Sequence, residues 1–184
     1  MADALEFNRE IVEKRSQILE KLGLESKQYL VLTIHRPVNT DKRVNLENIV
    51  RAVGEAGVPV VFTVHPRTKM FLAEYGMRDI LPRNIIVTEP LGYLDMLKLM
   101  RHASKILTDS GGIQKEAYLL GVPCITLREN MEWVEMVQTG WNVLVGADRQ
   151  KIVNILNNFN PKNELIDIFG RSAAKKIAVT INHG

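Results

Sequence analysis

Two hydrophobic patterns alternate along the chain. Short apolar runs recur at residues 29–34, 58–64, 84–88, 105–108, 123–127 and 142–145. They are continuous and do not alternate with polar residues, as in strands buried on both faces. Between them lie segments whose apolar residues form one helical stripe, such as Leu46, Ile49, Val50 and Val53 within 45–56. The same reasoning predicts helices over 3–22, 66–75, 93–103, 113–120 and 132–139, and one running to 158 behind a cap at Asp148. Pro66 suits a first helical position. Gly23, Gly121 and Gly140 close three of the helices. The tail from Asn160 is predicted to carry one or two more, with Ala173, Ala174, Ile177, Ala178 and Ile181 on one face. Strands and helices in strict alternation predict an α/β fold, a doubly wound parallel sheet of six strands.

Composition narrows the class without defining it. With 184 residues, 46% of them hydrophobic, the chain can bury a full core as one domain. A net charge of +3 makes no case for nucleic acid. The single cysteine, Cys124, excludes an internal disulfide and suits the reducing cytoplasm; it reads as a small core residue. No apolar stretch approaches membrane-spanning length. The N-terminus is charged and amphipathic, unlike a signal peptide.

In such sheets ligands bind beyond the carboxyl ends of the strands. Those ends read Thr33-Ile34-His35-Arg36, Thr63-Val64-His65-Pro66-Arg67, Thr88-Glu89-Pro90, Thr108-Asp109-Ser110 and Leu127-Arg128-Glu129-Asn130. Histidines, arginines and carboxylates therefore gather on one rim, whereas no histidine falls at the amino ends. The fourth end is a strand, a turn with Gly111 and Gly112, then a helix, with Ser110 as the expected N-cap. That arrangement suits an anion, usually phosphate; it also occurs as a plain tight connection. His35 beside Arg36 suits a ligand contact. His65 either binds or fixes its turn, and Arg128 is either a salt-bridge residue or a phosphate clamp. Glu116 is either a ribose ligand or an exposed helix charge. His102 and His183 read as structural and solvated, respectively.

These residues together resemble a known family. Thr33-Ile34-His35-Arg36 with Asn39, His65-Pro66, Glu89-Pro90-Leu91-Gly92-Tyr93-Leu94, Leu107-Thr108-Asp109-Ser110-Gly111-Gly112-Ile113-Gln114 with Glu116, and Arg128-Glu129-Asn130 with Glu132 are similar to the C-terminal half of the non-hydrolysing UDP-N-acetylglucosamine 2-epimerases. The resemblance implies a Rossmann-like lobe of a two-lobed, glycosyltransferase-B-type fold, with the active site in the cleft between lobes. Ser110, Gly111 and Gly112 would hold the UDP diphosphate and Glu116 the ribose hydroxyls. His35 would contact the diphosphate and help it leave. Arg36, His65 and Arg128 would line the UDP site, and the segment around Tyr93 and Met96 would pack on the uracil. UDP is eliminated across C1–C2 to give a 2-acetamidoglucal and adds back with C2 inverted. The reaction needs no metal and no nicotinamide.

The family's proton-moving carboxylates lie in the N-terminal lobe. The resemblance therefore implies a fragment, with Met1 an internal methionine. Residues 1–23 would be an inter-lobe helix, 24–159 the UDP-binding lobe, and 160–184 helices packing back on the missing lobe. The fragment would bind UDP or a UDP-N-acetylhexosamine without epimerising it. Its exposed apolar faces would favour a homodimer. Some positions depart from the family. Met96 stands where an aromatic residue is common, Trp133 replaces a further arginine, and Pro37-Val38-Asn39 replaces an Arg-Glu-Asn run tied to activation by a second substrate molecule. The Glu-Trp-Val-Glu form at 132–135 also occurs in relatives acting on UDP-diacetamido-uronic acids. A type-B glycosyltransferase lobe and a non-catalytic nucleotide-binding module are the competing classes.

Overall fold

The computed structural model of the protein describes residues 2–130 and 133–169. Six parallel strands form one sheet: β1 (Leu30–Thr33), β2 (Val60–Thr63), β3 (Ile85–Thr88), β4 (Lys105–Thr108), β5 (Cys124–Thr126) and β6 (Asn142–Leu144). Their spatial order is β3-β2-β1-β4-β5-β6. The chain thus winds outward from β1 to one edge, returns beside β1 as β4, and winds to the other edge. β1 and β4 are the switch point of a doubly wound sheet.

Alternate residues of β1, together with Tyr29 just before it, enter two different cores. Leu30 and Leu32 pack with α4 (Arg43–Gly54), α5 (Pro66–Glu74) and α9 (Arg149–Asn158), through Leu46, Ile49, Leu72 and Ile152. Tyr29 and Val31 pack with α2 (Ile18–Leu22), α6 (Tyr93–His102) and α7 (Gly111–Leu119), through Leu19, Leu99, Met100 and Ala117. This two-sided burial is why the strands read as unbroken apolar runs.

The expected helix over 3–22 is two helices, α1 (Ala2–Arg15) and α2. The break at Ser16 has a tertiary cause. Its carbonyl accepts a 2.6 Å bond from Lys98 Nζ and its hydroxyl donates at 2.6 Å to Asp95, both on α6. Two elements were not expected. A short helix, α3 (Pro37–Thr40), starts on a proline, and a 3-10 turn spans Arg78–Ile80. The short helix α8 (Val134–Gln138) falls within the expected segment; the start of that segment at Glu132 lies outside the described residues. The expected tail helices fall mainly on residues 170–184, outside the described residues, and only the start of the tail is described. Residues 160–169 form no helix, because their carbonyls are taken by the body of the lobe: Ile166 O accepts from Tyr118 Oη at 2.8 Å and Asn163 O from Trp141 Nε1 at 3.1 Å. Ala173, Ala174, Ile177, Ala178, Ile181 and His183 lie outside the described residues.

Candidate functional site

The register puts Thr33 level with Thr108, so the two chains leave the sheet side by side. Thr33 Oγ1 and Thr108 Oγ1 share a buried 2.6 Å hydrogen bond, and Thr108 Oγ1 also accepts from Ser110 N at 3.0 Å. This side-chain bracket fixes how the chain enters α7. The helix begins at Gly111, earlier than the pattern indicated, so the two glycines are its first residues and do not form a turn before it. Neither has a positive φ. They are not needed for backbone strain. A Cβ on Gly112 would meet nothing nearer than Ser110 Oγ, at 3.9 Å. Gly111 is buried and Gly112 exposed; without a Cβ, Gly112 leaves the first-turn N–H groups, which lack intrahelical acceptors, accessible to an approaching anion. Ser110 stands at the N-cap position, but its side chain makes no capping bond.

Beside it lies Asp109, which carried no role in the sequence reading. Its side chain is fully buried, at 0% exposure. The carboxylate accepts from His35 N at 3.1 and 3.2 Å, from Arg36 N at 3.0 Å and from Asn39 Nδ2 at 3.0 Å. His35 Nδ1 lies 3.2 Å from Oδ1. Burial alone would raise this carboxyl; the bonds from His35, Arg36 and Asn39 outweigh it and hold it below the ordinary aspartate range. Asn39 Nδ2 also donates to Leu127 O at 2.9 Å. The unexpected helix α3 is what places Asn39 there. Through Asp109 and Asn39 the ends of β1, β4 and β5 become one rigid rim.

His35 and Arg36 are half-buried on that rim. His65 is exposed at the N-cap of α5, where its Nδ1 accepts from Arg67 N at 3.2 Å. Its ring centroid lies 5.6 Å from that of His35. Arg67 is held elsewhere, by a fork to Asp41 and a bond to Thr40 Oγ1. Arg128 is half-buried beyond β5, and its Nη2 donates to Asn130 at 3.1 Å. Glu116 is half-buried on α7, and burial pushes its carboxyl above the ordinary value. Tyr93 is half exposed at the start of α6; burial, and then the Glu116 charge, push its phenol up. Met96 is partly buried and packs into the apolar cluster that also includes Leu91 and Ile113.

His102, read as structural, bonds Glu13 at 2.9 Å and Ser26 at 3.0 Å, tying α6 to α1 at the amino end of the sheet. Cys124 is buried in the core, and that burial pushes its thiol up to about 12, against a smaller opposing bond from Thr126. It is no nucleophile. Among the described residues no three His, Cys, Asp or Glu side chains are grouped to hold a metal, and no helix is long and apolar enough to cross a membrane. A hollow of about 410 Å³ lies between α5 and the β3 edge, walled by Leu72, Leu81 and Val87 and bordered by Val64 and Glu89 at the strand ends.

Fold and rim define a doubly wound α/β lobe whose topological switch point carries the start of α7 beside the His35–Arg36 strand end. Residues 1–182 match the family described as UDP-N-acetylglucosamine 2-epimerase, and the chain belongs to that family. A UDP-N-acetylglucosamine 2-epimerase homolog of Methanococcus maripaludis is 44% identical over 188 residues, covering 99% of this chain and 53% of that protein. The UDP-GlcNAc 2-epimerase of Methanocaldococcus jannaschii, solved in complex with UDP-GlcNAc and UDP, superposes with a TM-score of 0.89 at 37% identity, over 100% of this chain and 53% of that one. A UDP-2,3-diacetamido-2,3-dideoxy-D-glucuronate 2-epimerase of Pseudomonas aeruginosa is 44% identical over 136 residues, 72% of this chain and 37% of that protein. The chain thus spans about half the length of the first two.

Proposed function

We propose that this chain is the UDP-binding half of a UDP-N-acetylglucosamine 2-epimerase. One observation carries the reading: the bare first turn of α7 and the His35–Arg36 strand end meet at the switch point on a shared buried carboxylate, Asp109. Backbone N–H groups of the Ser110-Gly111-Gly112 turn hold the diphosphate. Glu116 accepts hydrogen bonds donated by the ribose hydroxyls, and Tyr93 and Met96 border the base. His35, Arg36, His65 and Arg128 surround the phosphates with donors.

In the complete enzyme a carboxylate of the other lobe removes the C2 proton as the C1–O bond breaks and UDP leaves. A UDP oxygen then attacks C1, and a proton returns to C2 from the opposite face. The part played by this chain is to stabilise the charge that develops on the departing diphosphate with donors already in place. Residues 1–23 link the lobes, 24–159 bind the nucleotide, and 160–184 return toward the other lobe. Calorimetry should detect UDP binding to this chain, and no binding at millimolar UDP would refute the site. The chain alone should turn over no UDP-N-acetylglucosamine; detectable turnover would refute the division of labour.

A second reading concerns the sugar. Lys115 Nζ lies 4.7 Å from the Trp133 ring centroid and 4.3 Å from that of Phe169, one residue from Glu116. A cation held near the site suits a carboxylated sugar, which the Pseudomonas relative names. Rates of the complete two-lobed enzyme on the two UDP-sugars decide between them.

A further inference from the structure

We propose that the two rim histidines are set in opposite tautomers, and that Asp109 is the positioning residue for His35. The role given to the ligand rests on the nucleotide reading above. The tautomers rest on geometry alone. Asp109 is buried among donors: two backbone N–H groups and the Asn39 amide. A carboxylate so surrounded acts as an acceptor only. His35 Nδ1 faces it at 3.2 Å, so a neutral His35 ring carries its proton on Nδ1. Nε2, on the far edge of the ring, is then the atom offered to a ligand. In the imidazolium form, where both ring nitrogens are donors, Nε2 donates to a diphosphate oxygen.

His65 is set the other way. Its Nδ1 accepts from Arg67 N, a group that can only donate, so the neutral ring carries its proton on Nε2. In this neutral tautomer His65 offers the anion an Nε2–H. The rings are 5.6 Å apart, close enough to address one diphosphate. Asp109 prevents His35 from adopting the His65 tautomer, whose Nδ1 lone pair would face the carboxylate oxygens.

The test is long-range ¹H–¹⁵N spectroscopy of the full chain with labelled histidine, above the imidazole titration, assigned with His35→Gln and His65→Gln. The expected result is an Nδ1–H signature for His35 and Nε2–H for His65. Nε2–H on His35, or Nδ1–H on His65, overturns the proposal. Asp109→Asn should move His35 to Nε2–H, leave His65 unchanged, and weaken pyrophosphate binding about tenfold by calorimetry. An unchanged His35 tautomer in that variant overturns the role of Asp109. Should Asp109→Asn not fold, the wild-type tautomers decide. A wild-type chain that binds neither UDP nor pyrophosphate refutes the nucleotide reading, and the presentation of Nε2 to a diphosphate with it, whatever the tautomers.

Discussion

Replacing Thr108 with valine tests whether the bracket between β1 and β4 sets the site. Thr33 is 6% and Thr108 0% exposed, so their shared hydrogen bond is dry. Valine preserves the branched shape and removes two contacts. The Thr33 hydroxyl loses its partner in the core, a loss of about 1–3 kcal/mol. The Ser110 N–H loses its acceptor, but Ser110 is only half-buried and water recovers part of that. The expected destabilisation is about 2–3 kcal/mol, a fall in Tm of roughly 4–12 °C for a chain of this size. Thr33→Val should cost less, because Thr108 keeps Ser110. The double variant replaces both hydroxyls with an apolar pair and should recover about 1–2 kcal/mol of the summed losses. Thermal and urea unfolding of the four proteins measures this cycle. Pyrophosphate titration of Thr108→Val should show weaker binding, since Ser110 is no longer tied. Additive stability losses, or a Thr108→Val chain as stable as the parent, would refute the reasoning.

Gly112→Ala should leave Tm unchanged or raise it slightly, because φ is not positive and the space is open, yet weaken pyrophosphate binding at least tenfold by covering the first turn; calorimetry and thermal unfolding separate the two effects. Glu116→Gln should stabilise the chain at neutral pH. The folded-state carboxyl titrates above its unfolded value, so its charged form opposes folding at higher pH; the gain should vanish as pH falls below the ordinary glutamate range, and urea midpoints across pH check the sign. Gly54→Ala should lose about 1–3 kcal/mol, since a Cβ there falls 2.6 Å from Pro82 Cγ on a stiff ring; urea unfolding measures it.

The strands were legible because a parallel sheet covered on both faces leaves continuous apolar runs. β4 has the bounds that its pattern gave, and the others differ by a residue or two. The closing glycines were equally legible: Gly23, Gly121 and Gly140 all have positive φ, which glycine adopts without a Cβ penalty. The helix break at Ser16 and the helix-free segment 160–169 were not, because the groups that decide them lie far along the chain: Lys98 and Asp95 for one, Tyr118 and Trp141 for the other. Local propensity contains no record of such partners.

The site divides in the same way. The sequence by itself determined which residue types reach the carboxyl rim, since strand ends follow from the apolar runs, and it set a glycine pair where a helix starts. Only the tertiary structure decided that β1 and β4 are neighbours, because strand order depends on packing across the whole sheet. That adjacency brings Asp109 beneath His35 and Arg36, residues more than seventy positions away in the chain. A buried aspartate is tolerated only where donors converge on it, and here the convergence exists only after folding.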